Sequence, residues 1–149
     1  MKTEIRKAEV SKRGLKASEL LHPFDLRDAM KVHSGDAEVV CVIPDFLGTG
    51  VEADIVSSKS IIPHVDAYWV GHVFVSIAIS ADHDYFECLS CRQFSRTYIG
   101  DGSVWIVDPM KIHWLEQRQS ESGHAIIASL TIPKRDKAKI ADVMEKLIG

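Results

Sequence analysis

The longest apolar run in the chain lies between Tyr68 and Ser80, and its two parities differ. Strand side chains alternate faces, so the odd positions Trp69, Gly71, Val73, Val75, Ile77 and Ile79 form one unbroken apolar face. The even positions Val70, His72, Phe74, Ser76, Ala78 and Ser80 form a mixed face. Val, Ile and Phe dominate, and no polar stripe recurs every three to four residues, so the run predicts a core strand beginning at Trp69 rather than a helix. At about 13 residues it falls well short of the ~20 that a membrane span needs. Its mixed face should be only partly covered.

Around this run the pattern predicts further strands. Glu38 to Ile43 is β-branched and stops at Pro44. Val51 to Val56 and Ser60 to Ile62 are short strand-like runs, and Pro63 breaks before the central run. Tyr98-Ile99 and Val104 to Val107 flank Asp101-Gly102, the signature of a tight hairpin. Met110 to Glu116 alternates, and His124 to Ile132 reads as the last strand. Asp84-x-x-Glu87 has capping-box spacing, so Tyr85 to about Arg96 is expected as a short helix, with a strand as the alternative its aromatics favour. Asp82-His83-Asp84 reads as turn chemistry at the end of the central strand.

Two helices frame the sheet. Pro23 opens one that runs to about Val32 or His33 and buries Phe24, Leu26, Ala29 and Met30. At the other end, Ile140, Val143, Met144 and Leu147 share one helical face over Asp136 to Ile148. The expected fold is α+β: a single domain with a mostly antiparallel sheet of five to seven strands, an N-terminal helix and a C-terminal amphipathic helix. Residues 1–14 form a basic lead-in and 15–149 the domain.

A chain of 149 residues with 46% hydrophobic and 26% charged content has enough core to fold without staples. Its net charge of −3 is unevenly spread. Residues 1–16 hold six Lys/Arg against two Glu, and 134–149 hold five basic groups against three acidic ones, leaving seven basic and 16 acidic groups between them. Such an arm allows contact with nucleic acid or another anionic partner, although ends that simply neutralise the body are the plainer reading. Three cysteines, and a charged stretch where a secretory leader would be apolar, point to a reducing cytoplasm without a disulfide framework. No membrane partner is expected.

Cys88-x-x-Cys91 is the most specific chemical feature, and it is half of a zinc motif. Cys88, Cys91, His83 and His113 are the metal-ligand candidates, with zinc or another divalent metal as the only cofactor the sequence invites. Buried, inert thiols are the plainer alternative. For an enzyme, the candidate catalytic groups are His72, Asp82, His83, Asp84, Cys91 and His113, which hold the parts of an acid–base or nucleophilic site. Two glycines in Asp45 to Gly50 invite a phosphate loop, but the Lys-Ser/Thr ending and a following helix are missing. Tyr68, Trp69, Phe74, Trp105 and Trp114 read as core, and an exposed Trp114 would suit a dimer.

Two functions are therefore expected. The first is a small cytosolic module that binds a protein partner or a second copy of itself. The alternative is a small hydrolytic or metal-dependent enzyme built around the central strand. The incomplete ligand set favours the module.

Overall fold

The computed structural model of the chain describes residues 5–6, 37–90 and 92–148. The helix expected from Pro23 lies outside these residues, as does Cys91.

Ten strands form two antiparallel sheets among the described residues. They are β1 (Ile5–Arg6), β2 (Glu38–Ile43), β3 (Ala53–Ser58), β4 (Ile61–His64), β5 (His72–Ser80), β6 (Asp82–Ser90), β7 (Gln93–Gly100), β8 (Val104–Val107), β9 (His113–Gln117) and β10 (Ala125–Pro133). The larger sheet runs β1-β8-β5-β10-β3-β2 and the smaller β4-β9-β6-β7. One helix, α1 (Lys137–Ile148), closes the chain. It is far too short to cross a membrane, and no described helix is long and apolar enough to do so.

The parity of β5 sets the layers. Val73, Val75, Ile77 and Ile79 pack with Leu130 and Ile132 of β10 and with Val143, Met144 and Leu147 of α1. An isolated helix of this length is marginal in water, so its burial against the sheet is what holds it. Phe74 and Ala78, on the other parity, meet Tyr85 and Leu115 of the smaller sheet and Trp105, Val107 and Ile127 of the larger. The order is helix, six-stranded sheet, four-stranded sheet.

This arrangement corrects four expectations. There are two sheets rather than one of five to seven strands. The central strand begins at His72; Trp69 sits in the preceding turn, Ala67–Trp69, which Gly71 leaves at φ +81°. Residues 85–90 lie in β6 and 93–96 in β7, and Asp82-His83-Asp84 opens β6 rather than forming a turn. Cross-strand pairing along β6 overrides the capping-box spacing, which sets only a local preference.

The fourth correction concerns Asp101-Gly102. The tight turn exists, but the strands it joins do not pair: β7 belongs to the smaller sheet and β8 to the larger. The turn is pinned to β5 instead. Gly102 N–H donates to Ala78 O at 2.6 Å, Ala78 N–H to Ser103 O at 2.8 Å, and Ala81 N–H to Asp101 Oδ1 at 3.0 Å. Ala81 and this turn are where the chain crosses between the sheets. In the lead-in, Ile5 and Arg6 pair with Trp105 and Val104, so two of its residues extend the larger sheet.

Candidate functional site

The mixed face of β5 is covered by the smaller sheet, but not tightly. A cavity of about 280 Å³ remains between the sheets, with Phe74, Tyr85, Trp105, Leu115, Ile127 and the residues below in its wall. That is just below the roughly 300–1,000 Å³ typical of ligand pockets.

At one side of this cavity stand His64, Asp66 and His113. His64 of β4 and His113 of β9 are register partners, so their side chains share a face, and the ring centroids lie 4.3 Å apart. Pro63 is tolerated within β4 because β4 is a sheet edge. Asp66 follows two residues after His64, its backbone N–H donating to Pro109 O at 2.7 Å and its carbonyl accepting from Trp69 N–H at 2.9 Å. Asp66 Oδ2 then lies 3.2 Å from His113 Nε2 and 3.5 Å from His64 Nε2.

The far nitrogens fix the tautomers. His64 Nδ1 donates to Ile62 O and His113 Nδ1 to Lys111 O, both at 2.7 Å. A nitrogen that close to a carbonyl oxygen carries the proton, which leaves Nε2 of a neutral ring with a lone pair. Burial holds the His113 pKa below its ordinary value, and neighbouring His64 adds to the effect. The Lys111 carbonyl and the carboxylates of Asp66 and Glu87 oppose it. Where both imidazoles are neutral, their Nε2 lone pairs and the Asp66 carboxylate are three acceptors around one point.

Such an arrangement suits a cation. Bonds of ~2.1 Å to a tetrahedral or octahedral metal separate neighbouring ligand atoms by about 3.0–3.4 Å. The 3.2 Å carboxylate–His113 distance lies in that range and the 3.5 Å carboxylate–His64 distance just above it, and all three ligand atoms fall within 4.8 Å of one another. Carbonyl-anchored imidazoles are also the usual outer support of metal-binding histidines. His113 is buried, while His64 and Asp66 are half-buried and leave a path to solvent.

Tyr85 and Trp105 stand in the cavity wall. Tyr85 Oη and Trp105 Nε1 are buried without a hydrogen-bond partner. Their rings lie 5.9 Å apart, and Tyr85 is 6.4 Å from the His113 ring. Burial chiefly, then the carboxylates of Glu87, Asp108 and Asp66, push the Tyr85 pKa well above its ordinary value, so the phenol stays protonated.

Of the residues singled out from sequence, His113 alone stands in this cluster. His83 is fully buried with both nitrogens engaged: Nδ1 accepts from Asp82 N–H at 3.0 Å and Nε2 donates to Lys59 O at 2.9 Å. It sits four residues from Glu87, the register partner of His113, a separation of roughly 13 Å along the strand. His72 lines a separate shallow cavity with Lys134, Arg135 and Lys137. Asp82 accepts from Ser122 Oγ at 2.8 Å, and Asp84 accepts from Arg96 Nε and Nη2 at 3.1 and 2.8 Å.

Cys88 is a half-buried free thiol opposite Phe94, adjoining the outer face of the smaller sheet. There Phe86 and Trp114 stack at 4.9 Å and Phe94 is 56% exposed.

His64 and Asp66 are hard to find in the sequence because Pro63 reads as the end of the preceding strand. The available signal was His64-x-Asp66: a spacing of two puts both side chains on one side of an extended segment.

No family model and no curated protein matches the chain. Among solved structures, it is similar to vicilin from Corylus avellana (hazelnut) with a TM-score of 0.44 and 11% identity, over 60% of this chain and 26% of that one. It is also similar to an HTH_3 family transcriptional regulator from Vibrio cholerae, with a TM-score of 0.38 and 14% identity, over 79% of this chain and 58% of that one. The chain thus spans about a quarter of the vicilin and somewhat over half of the regulator.

Proposed function

We propose that this chain is a metal-dependent enzyme acting on a small, largely apolar molecule bound between the two sheets. A divalent transition metal would be held by His64 Nε2, His113 Nε2 and one Asp66 oxygen. The observation that carries this reading is the pair of 2.7 Å bonds from Nδ1 to backbone carbonyls, which turn both Nε2 lone pairs toward the Asp66 carboxylate.

Nitrogen and oxygen ligands without sulfur suit zinc, iron(II) or nickel. Three protein ligands leave coordination positions open, the pattern of catalytic rather than structural sites. The metal would supply polarisation of a substrate oxygen. The cavity contributes orientation: Phe74, Leu115 and Ile127 exclude water from the apolar part of the substrate.

Metal analysis of protein purified without chelator tests this reading. About one equivalent of transition metal is expected in the wild type and a small fraction of that in His113→Ala. Stoichiometric metal retained by His113→Ala would overturn the assignment. The second expectation, a module that binds a protein or itself, draws support from the outer aromatic face of Phe86, Phe94 and Trp114.

A further inference from the structure

The inner face of the larger sheet carries a polar row across a largely apolar floor. Asp54 of β3, Ser129 of β10 and Ser76 of β5 are successive register partners, so their side chains share a face, and all three line the cavity. The next pairs on that face are Val56 with Ile127 on one side and Thr131 with Phe74 on the other. Inward positions of a sheet packed on a second sheet ordinarily supply its core. Here Asp54 and Ser129 are half-buried, so solvent reaches them in the cavity wall. Among the described residues, neither the Asp54 carboxylate nor the Ser129 hydroxyl has a hydrogen-bond or ion-pair partner.

The charge of the wall is one-sided. Asp54 and Asp66 are its carboxylates, and no Lys or Arg among the described residues lines it. Asp66 faces His64 and His113, which leaves Asp54 as the carboxylate without a counter-charge.

We propose that Asp54 and Ser129 bind the ammonium group of a small, otherwise apolar amine. Directly opposed residues of paired strands hold their Cβ atoms about 4.5–5.5 Å apart, so one nitrogen fits within hydrogen-bond reach of both side chains. An ammonium donates three hydrogen bonds and accepts none, which matches a carboxylate and a hydroxyl that lack donors. Bonds between charged partners are also the stronger kind. Val56, Ile127 and Phe74 beside the row ask for an apolar remainder. His64 and His113 belong to the smaller sheet, so the ammonium is held on the wall opposite them. The inference rests on the cavity as the ligand site and names its substrate class, while ammonium binding itself needs no metal.

The test uses the full-length chain, stripped of metal by chelation and titrated at neutral pH with three probes of similar size: benzylamine, benzyl alcohol and benzoate. Benzylamine should bind about tenfold more tightly than benzyl alcohol, the range for a hydrogen bond to a charged group, and benzoate most weakly. Asp54→Asn should abolish that preference and leave benzyl alcohol unchanged. Ser129→Ala should weaken benzylamine about two- to tenfold. Asp66→Asn should keep the preference, which separates Asp54 from the carboxylate of the metal cluster. Equal affinity for benzylamine and benzyl alcohol, as when water alone serves the row, would overturn the proposal. So would benzoate as the tightest probe, or a preference that survives Asp54→Asn or is lost in Asp66→Asn. A parallel zinc titration separates this inference from the metal site. Absent zinc binding with the benzylamine preference intact removes only the metal and supports the ammonium site. Zinc binding without that preference removes the ammonium site alone.

Discussion

At Tyr85 a hydroxyl is buried without a partner, and such a group costs about 1–3 kcal/mol. Tyr85→Phe removes the hydroxyl and keeps the ring that packs on Trp105. In the absence of ligand the variant is expected to be at least as stable as the wild type, by up to about 1 kcal/mol in denaturant unfolding. A loss of stability would show that the hydroxyl has a structural partner. His83 makes a different prediction. Its Nδ1 already accepts an N–H, so protonation there would break that bond, and burial depresses its pKa from 6.5. The unfolded chain then binds the extra proton more readily than the folded one. Stability should be full above pH 6.5 and fall as pH drops through 6.5 toward the folded pKa. His83→Gln, a neutral donor and acceptor of similar reach, should flatten that slope between pH 6.5 and 5; an identical slope in both proteins would refute the assignment. At this scale the sequence was legible only in part. His113 stood out on an alternating strand, but nothing in the sequence said that Asp82, Asp84 and His83 would be occupied by Ser122, Arg96 and the Lys59 carbonyl.

Secondary structure was legible where one period dominated. The helix α1 follows from the spacing of Ile140, Val143, Met144 and Leu147, three of which are buried against the larger sheet. Leu147 is 1% exposed, so Leu147→Asp places a carboxylate in that core and should cost a few kcal/mol, on the order of large core lesions. Thermal unfolding checks it, and an unchanged Tm would mean that the helix does not dock. The alternation of β5 was equally plain, whereas along 110–116 the apolar parity of Met110, Ile112 and Trp114 misled: Met110 and Ile112 are exposed, and His113 and Leu115 are the buried side chains of β9. What the pattern could not carry was partnership. β7 and β8 look like a hairpin from sequence because a tight turn joins them, yet each pairs elsewhere. The choice depends on Ala78 and Ala81 binding the turn from β5 and its exit, contacts about 20 residues distant in the chain. The strand β4 is hidden in the sequence for a local reason: Pro63 reads as a strand end, yet an edge strand tolerates it.

For the molecule as a whole, the two sheets explain both faces of the central strand. One face is a closed core under α1; the other borders a cavity whose wall joins apolar side chains and the His64–Asp66–His113 cluster. The central claim is that this cluster is a metal site, and calorimetric titration of the chelator-treated chain with zinc addresses it directly. The wild type should bind one equivalent. His64→Ala, Asp66→Ala and His113→Ala should each weaken binding at least tenfold, since removing even an outer support of a metal ligand typically costs 10–100-fold. Cys88→Ala should bind as the wild type does. Absence of zinc binding by the wild type, or undiminished binding by all three cluster variants, would contradict the account.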